Sequence, residues 1–254
     1  MNGRLEHLAA LVVATLGVSS ATAHADLRSF SHTYEYSTVP EGRTTLELWH
    51  TQSRTTPDAS ATQLYEGVLE IEHGIAEHWD VGFHTVLEQI AAGPTSDGLR
   101  LSKAKLETRY RIGERADLPI DTLVFLELAK AFGDSVYDLR GKVVGARDFG
   151  DLTLAVNAIV GVVTGKDVDE TTLELGGAAG ATYQAHPKLR VGVETWGVWI
   201  DGDPYIDAGP ALSFAPSSTL WATVTLGFSV TEREAVETAS HGAFSARAIV
   251  GIEL

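Results

Sequence analysis

The sequence predicts an all-β chain, a closed antiparallel transmembrane β-barrel of about 12 strands, with 10 or 14 as the alternatives. Three observations predict it. Apolar residues recur with a period of two along most of the chain and up to its last residue, which is the side-chain period of a strand. The alternating segments average about eleven residues, the length a strand needs to cross a bilayer and about twice that of a soluble strand. The connections alternate between shorter and longer, as in bacterial barrels with short turns on one side and long loops on the other.

Composition narrows the classes further. The chain has 254 residues, 44% hydrophobic and 21% charged, with 25 glycines and a net charge of -15. Its length suits one large domain or two small ones. The acidic balance argues against a nucleic-acid partner, which needs a basic footprint. With no cysteine there is no disulfide framework, thiolate metal site or cysteine nucleophile. No apolar run is long enough for a helical span, and the apolar content is too high for bulk disorder.

Taken in order, residues 1–25 read as a secretory signal peptide. Arg4 precedes an apolar run from Leu8 to Val18, and Ala23-His24-Ala25 supplies the small-residue cleavage site. Residues 26–43 read as a periplasmic or lumen-entering lead segment, ending at the turn Val39-Pro40-Glu41-Gly42. A strand over 28–38 would be a thirteenth and would put the N-terminus outside the cell, which single-chain bacterial barrels avoid. The barrel occupies 44–254, with strands expected near 44–51, 62–73, 79–90, 100–112, 120–130, 138–147, 152–163, 171–184, 189–200, 205–214, 219–230 and 243–254. Segments such as 185–188 and 215–218 are the short turns; 52–61, 91–99 and 231–242 are among the longer loops.

Parity assigns the faces. Leu220, Ala222, Val224, Leu226, Phe228 and Val230 form one apolar row, and Phe244, Ala246, Ala248, Val250, Ile252 and Leu254 another. Facing lipid, these rows should have aliphatic middles and aromatic ends. Leu69, Leu106, Val124, Val143, Val156, Val193 and Val224 stand at strand centres. Trp79, Tyr110, Tyr183 and Phe214 lie towards one boundary and Tyr65, Trp199, Phe228 and Phe244 towards the other.

The opposite parity carries most strand charges and is expected to line the lumen. Early strands offer Glu47, Trp49, Glu66, Glu70, Glu72, His84 and Glu88. Lys103, Lys105, Glu107, Arg109 and Arg111 follow, then Glu127, Arg140 and Lys142, and finally Glu174, Arg190, Glu194 and Arg247. Acidic and basic strands adjoin, so cross-strand pairing is expected. The basic row Lys103, Lys105, Arg109 and Arg111 is expected to face an acidic wall across a constriction and set ion selectivity.

Two functions fit. One is a small porin-like channel for passive transport of small solutes through a charged lumen. The other is a closed structural or surface-interaction barrel with a salt-bridged lumen. No enzyme is expected: His84 and Ser102 form one nominal pair, without a nucleophile motif around either. No cofactor or metal site is expected either. Glu72-His73 and Glu77-His78 flank a turn and could offer zinc ligands, but read as solvated residues. The acidic loops Asp201-Gly202-Asp203 and Asp167-Val168-Asp169-Glu170 lack calcium-loop spacing. The expected location is the outer membrane of a Gram-negative bacterium after export through the periplasm. The expected partners are its lipid, lipopolysaccharide and the barrel-assembly machinery.

Three stretches carry a resemblance. Tyr34-Glu-Tyr-Ser-Thr-Val-Pro-Glu-Gly-Arg-Thr-Thr-Leu-Glu-Leu-Trp-His-Thr51 resembles the opening of a family of Gram-negative outer-membrane β-barrels with a Pro-x-Gly turn before an E-x-E-x-W-like strand. Glu70 to Asp80 is similar to that family's recurring strand–turn–strand, and Gly209 to Pro216 to one of its late strands. More distantly, the chain is similar to small barrels associated with phenol degradation. It departs in Glu41, where Lys is usual, in Thr45 for the first Glu, and in ending on Leu254. The resemblance implies a fold and a membrane, and no activity.

Overall fold

The computed structural model describes residues 28–56, 61–92, 95–200, 203–231 and 243–254. The expected signal peptide, most of the last long loop and part of the 201–204 loop lie outside them. Strands are β1 (Thr44–Arg54), β2 (Thr62–Ala76), β3 (Trp79–Ala92), β4 (Thr95–Ser96), β5 (Arg100–Ile112), β6 (Asp121–Ala131) and β7 (Val136–Phe149). They continue as β8 (Leu152–Gly165), β9 (Thr172–His186), β10 (Leu189–Ile200), β11 (Asp203–Phe214), β12 (Leu220–Ser229) and β13 (Phe244–Glu253).

Every neighbour pairs antiparallel, and β1 pairs with both β2 and β13, closing a barrel of twelve long strands. The two-residue β4 only extends the edge of β3 beyond the barrel. The expected strands match those observed one for one. Those expected over 100–112 and 189–200 have the observed bounds, while the one expected over 44–51 runs three residues further.

The two ends differ. Chain terminus Leu254 and short turns such as 150–151 and 187–188 mark one, called the turn end here; longer connections such as 55–61 mark the loop end. Outward-facing residues are apolar and exposed: Leu106 and Val193 each keep 59% of their surface. The other aliphatics expected at strand centres (Leu69, Val124, Val143, Val156 and Val224) are exposed as well. Such a band is stable only against an apolar surround.

Residues 28–40 precede β1 and run inside the barrel as a plug without regular secondary structure. They explain a feature that alternation alone does not. Leu123 and Phe125 of β6 and Val144 of β7 are apolar yet face inward, and all three are fully buried. They pack with Phe30 and Tyr36 of the plug into a hydrophobic core inside the lumen. Opposite, Ile249, the one large aliphatic on the inner face of β13, packs with Trp221 and Ala215.

Candidate functional site: the plugged lumen

The plug is held by its main chain. Glu194, on β10, is a buried carboxylate facing the bend at Ser31–Thr33. Its Oε1 accepts the Ser31 N–H at 2.9 Å and the Ser31 hydroxyl at 3.0 Å, along with the Thr225 hydroxyl. Its Oε2 accepts the N–H groups of His32 (3.0 Å) and Thr33 (2.9 Å) and the Thr33 hydroxyl at 3.1 Å. Three successive N–H groups thus form a nest around one carboxylate, an arrangement suited to negative charge. One residue on, Asn157 of β8 accepts the Tyr34 N–H at 2.7 Å and donates to the Tyr34 carbonyl at 2.9 Å.

The remaining anchors come from around the wall. The Ser213 hydroxyl donates to the Arg28 carbonyl at 2.9 Å, and Arg28 pairs with Glu47 at 3.3 Å. Arg111 donates to the Thr38 hydroxyl at 2.9 Å, and Asp80 accepts the Val39 N–H at 2.7 Å. Phe30 sits over Gly180 of β9: a Cβ there would stand 2.3 Å from its ring. His32 stacks on Trp196 with ring centroids 3.7 Å apart and planes 4° from parallel. Arg247 lies 3.2 Å from His32 Nδ1. Burial, then the Arg247 charge, holds this imidazole well below its usual value, so Nδ1 is free to accept from the guanidinium. Burial pushes the Glu35 carboxyl up to about 7, against the pull of the Ser29 N–H it accepts at 2.6 Å.

A cavity of about 520 Å³ lies on the loop side of the plug and one of about 70 Å³ on the turn side. Among the described residues Tyr34 alone lines both. Of the residues expected in the lumen, Trp49, Glu66, His84, Lys103 and Lys105 line the larger cavity, as do Glu127, Arg140, Lys142, Glu174 and Arg247. Among the described residues this vestibule is balanced in charge, with five Lys or Arg and five Asp or Glu. Glu47, Glu72 and Arg109 line the smaller cavity. Glu88 lies towards the loop end beside Arg100 (3.6 Å) and Lys103 (3.8 Å). Arg190 donates to the Thr153 hydroxyl at 2.8 Å, and Glu70 and Glu107 flank His84.

The basic row does not act as a unit. Lys103 and Lys105 face the vestibule, where Lys105 lies 3.5 Å from Glu127. Arg109 lies below the plug, bidentate on Asp80 (2.9 and 2.8 Å) and 2.5 Å from Glu72. Arg111 is taken up by Thr38 and the Glu77 carbonyl. The acidic partners stand on β3 and β6, which flank β5, and on β2 just beyond β3, instead of across a constriction. Lys142 is held differently, with Nζ 3.7 Å from the Phe125 ring centre and 4.0 Å from that of Tyr34.

Glu72 and His73 alternate to opposite faces, so they do not meet Glu77 and His78 as one set. Glu72 turns to Arg109, His73 contacts the Thr44 hydroxyl at 2.9 Å, and His78 lies 2.8 Å from Glu114. Ser102 falls at the register shift between β3 and β5, where Val86 pairs with Lys103 and Leu87 with Leu101, while His84 pairs with Lys105. Asn157, Asp80 and Trp196 escaped the sequence reading. Asn157 did leave a signal, as an amide on the inner parity of an otherwise apolar strand.

No model of a known protein family matches this sequence, and no curated protein matches it. Among solved structures, the NanC porin covers 82% of this chain and 98% of its own at 12% identity, with a TM-score of 0.55. The KdgM porin, solved in complex with disordered oligogalacturonate, covers 82% and 97% at 12% identity, with a TM-score of 0.54. The fold is therefore that of porin-like outer-membrane β-barrels.

Proposed function

We propose that this chain is a porin-like outer-membrane barrel that passes small polar solutes, with its own residues 28–40 as the gate. In this reading the loop end faces outward and the turn end the periplasm, which the short-turn and long-loop asymmetry supports. The observation that carries the reading is the pair of cavities. A vestibule of about 520 Å³, its described charges balanced, opens on one side of the plug, a cavity of about 70 Å³ lies on the other, and among the described residues a single aromatic side chain touches both. Opposed charges suit solutes that carry polar or mixed groups. The KdgM porin was solved with oligogalacturonate, and a comparable carbohydrate is a reasonable first solute to try.

The test is conductance in planar bilayers. The full chain should conduct weakly, and Glu194→Ala, which leaves the Ser31–Thr33 nest without its acceptor, should conduct several times more. A second reading is favoured by the density of hydrogen bonds on the plug: a permanently shut structural barrel. Silence in both proteins, each shown to be folded by heat-dependent mobility in SDS gels, would establish that reading and overturn the channel.

A further inference from the structure

We infer that Glu70, His84 and Glu107 form a binding site for one divalent first-row transition-metal ion in the wall of the lumen. The three side chains come from adjacent strands β2, β3 and β5. Glu70 and His84 are direct cross-strand partners, and Glu107 lies opposite Gly82. A Cβ on Gly82 would stand 2.8 Å from Glu107 Cγ, so the glycine is what lets Glu107 lean against its neighbours.

The atoms converge on a point without pairing as hydrogen bonds. His84 Nε2 lies 3.0 Å from Glu70 Oε1 and 2.9 Å from Glu107 Oε2. Neither contact is aligned as a hydrogen bond, and all four carboxylate oxygens lack a hydrogen-bond donor among the described residues. Ligands about 2.1 Å from one ion and at right angles stand about 3 Å apart, which is the spacing of each carboxylate oxygen from His84 Nε2, and the three ligand atoms all lie within 4.8 Å of one another. Exposure is 0% for Glu70, 1% for His84 and 2% for Glu107, so solvent does not replace the absent partners.

Charge makes the same point. Of the nearby cations, Arg109 is held by Asp80 and Glu72 and reaches Glu107 only at 3.9 Å, Arg28 pairs with Glu47, and Lys142, which also faces Glu107, has its ammonium against the Phe125 and Tyr34 rings. Among the described residues, no Lys or Arg forms an ion pair with Glu70. Glu47 and Glu72 bring further carboxylate oxygens within 4.8 Å of it. With His84 neutral, Glu70 has no counter-charge, which is costly for a buried carboxylate, and a dication here would supply the positive charge. One imidazole with two or three carboxylates suits zinc, manganese or iron better than calcium or magnesium, which prefer oxygen alone. Entry is through the vestibule, since His84 and Trp49 line it.

The test strips the full-length barrel with chelator in detergent and dialyses it against micromolar zinc. One equivalent should bind, with an X-ray absorption shell of nitrogen and oxygen containing one imidazole. Glu70→Gln, which keeps the shape and removes the charge, and His84→Gln should each weaken binding at least about tenfold. His78→Gln, which disables the exposed Glu77–His78–Glu114 group, should change nothing. The proposal is overturned if the stripped barrel takes up no zinc, as it would if Glu70 and Glu72 simply share a proton. Wild-type binding in both lumen variants also overturns it. Should a lumen variant fail to fold, the spectrum of the His78→Gln barrel decides: one imidazole supports the site, and none or several overturns it.

Discussion

The side-chain amide of Asn157 grips Tyr34 at both ends of its main chain, accepting from the N–H at 2.7 Å and donating to the carbonyl at 2.9 Å. Asn157→Leu keeps the volume and orphans both groups, at about 1–3 kcal/mol for each group that stays buried. Asn157→Asp can still accept but no longer donate. Proteolysis of the plug should therefore be fastest in the Leu variant, intermediate in the Asp variant and slowest in wild type. Equal rates in all three would mean that this clamp does not hold the plug.

Gly180 leaves room for Phe30. In Gly180→Val the added side chain would occupy the position of the ring, within 2.3 Å at Cβ alone, while the strand itself tolerates valine well. The barrel should remain folded and the plug should be displaced, raising conductance. An unchanged conductance with intact folding would show that Phe30 repacks elsewhere.

The chain has no cysteine, so a single introduced thiol reports its own accessibility. Ser245 lines the loop-side cavity and Ser37 the turn-side one. A membrane-impermeant maleimide added outside whole cells should label Ser245→Cys and spare Ser37→Cys. Adding Glu194→Ala to the second variant should make it reactive. Labelling of Ser37→Cys in the otherwise native chain would mean that the plug does not separate the two cavities.

The vestibule's five cationic and five anionic side chains predict weak ion selectivity. Changing Lys103 and Lys105 together to Glu removes two positive charges and adds two negative ones, which should shift the reversal potential towards cation preference. Arg111→Gln, below the plug, should leave that potential nearly unchanged. A shift of equal size from Arg111→Gln would place the selective step on the turn side.

Docking of the plug should weaken as pH rises. Burial lifts the Glu35 carboxyl from 4.5 to about 7, although Ser29 and the charges of Arg190 and Arg28 pull it down. A group raised on docking favours the docked state fully below its free value, and that contribution is lost as pH climbs through the docked value. Conductance should therefore rise progressively between about pH 4.5 and pH 7, and Glu35→Gln should remove the rise. A rise that survives Glu35→Gln belongs to another group.

The barrel was legible because alternation is local. Each strand declares its two faces within a dozen residues, and Val193 or Leu106 needs no partner to be read as outward. The plug was not, because its contacts are distant: Ser31 to Thr33 meet a carboxylate on β10, and Tyr34 an amide on β8. Nothing periodic in residues 28–40 announces these partners. The cluster at His84 was half legible. Parity places Glu70, His84 and Glu107 on the inner face, but their meeting depends on the stagger between β2, β3 and β5, which strand sequences do not encode one at a time.

The location of the plug's hydrogen-bond partners also orders assembly. Residues 28–40 precede every strand, yet Asn157, Glu194, Ser213 and Thr223 all belong to the later half of the chain. The segment that leaves the ribosome before any strand can meet Glu47, Asp80 and Arg111 early, but it can dock completely only after β8, β10, β11 and β12 have been laid down. Full seating of the plug is thus a final step, available only to a completed barrel, and a strand paired out of register would displace these partners and leave the segment unseated.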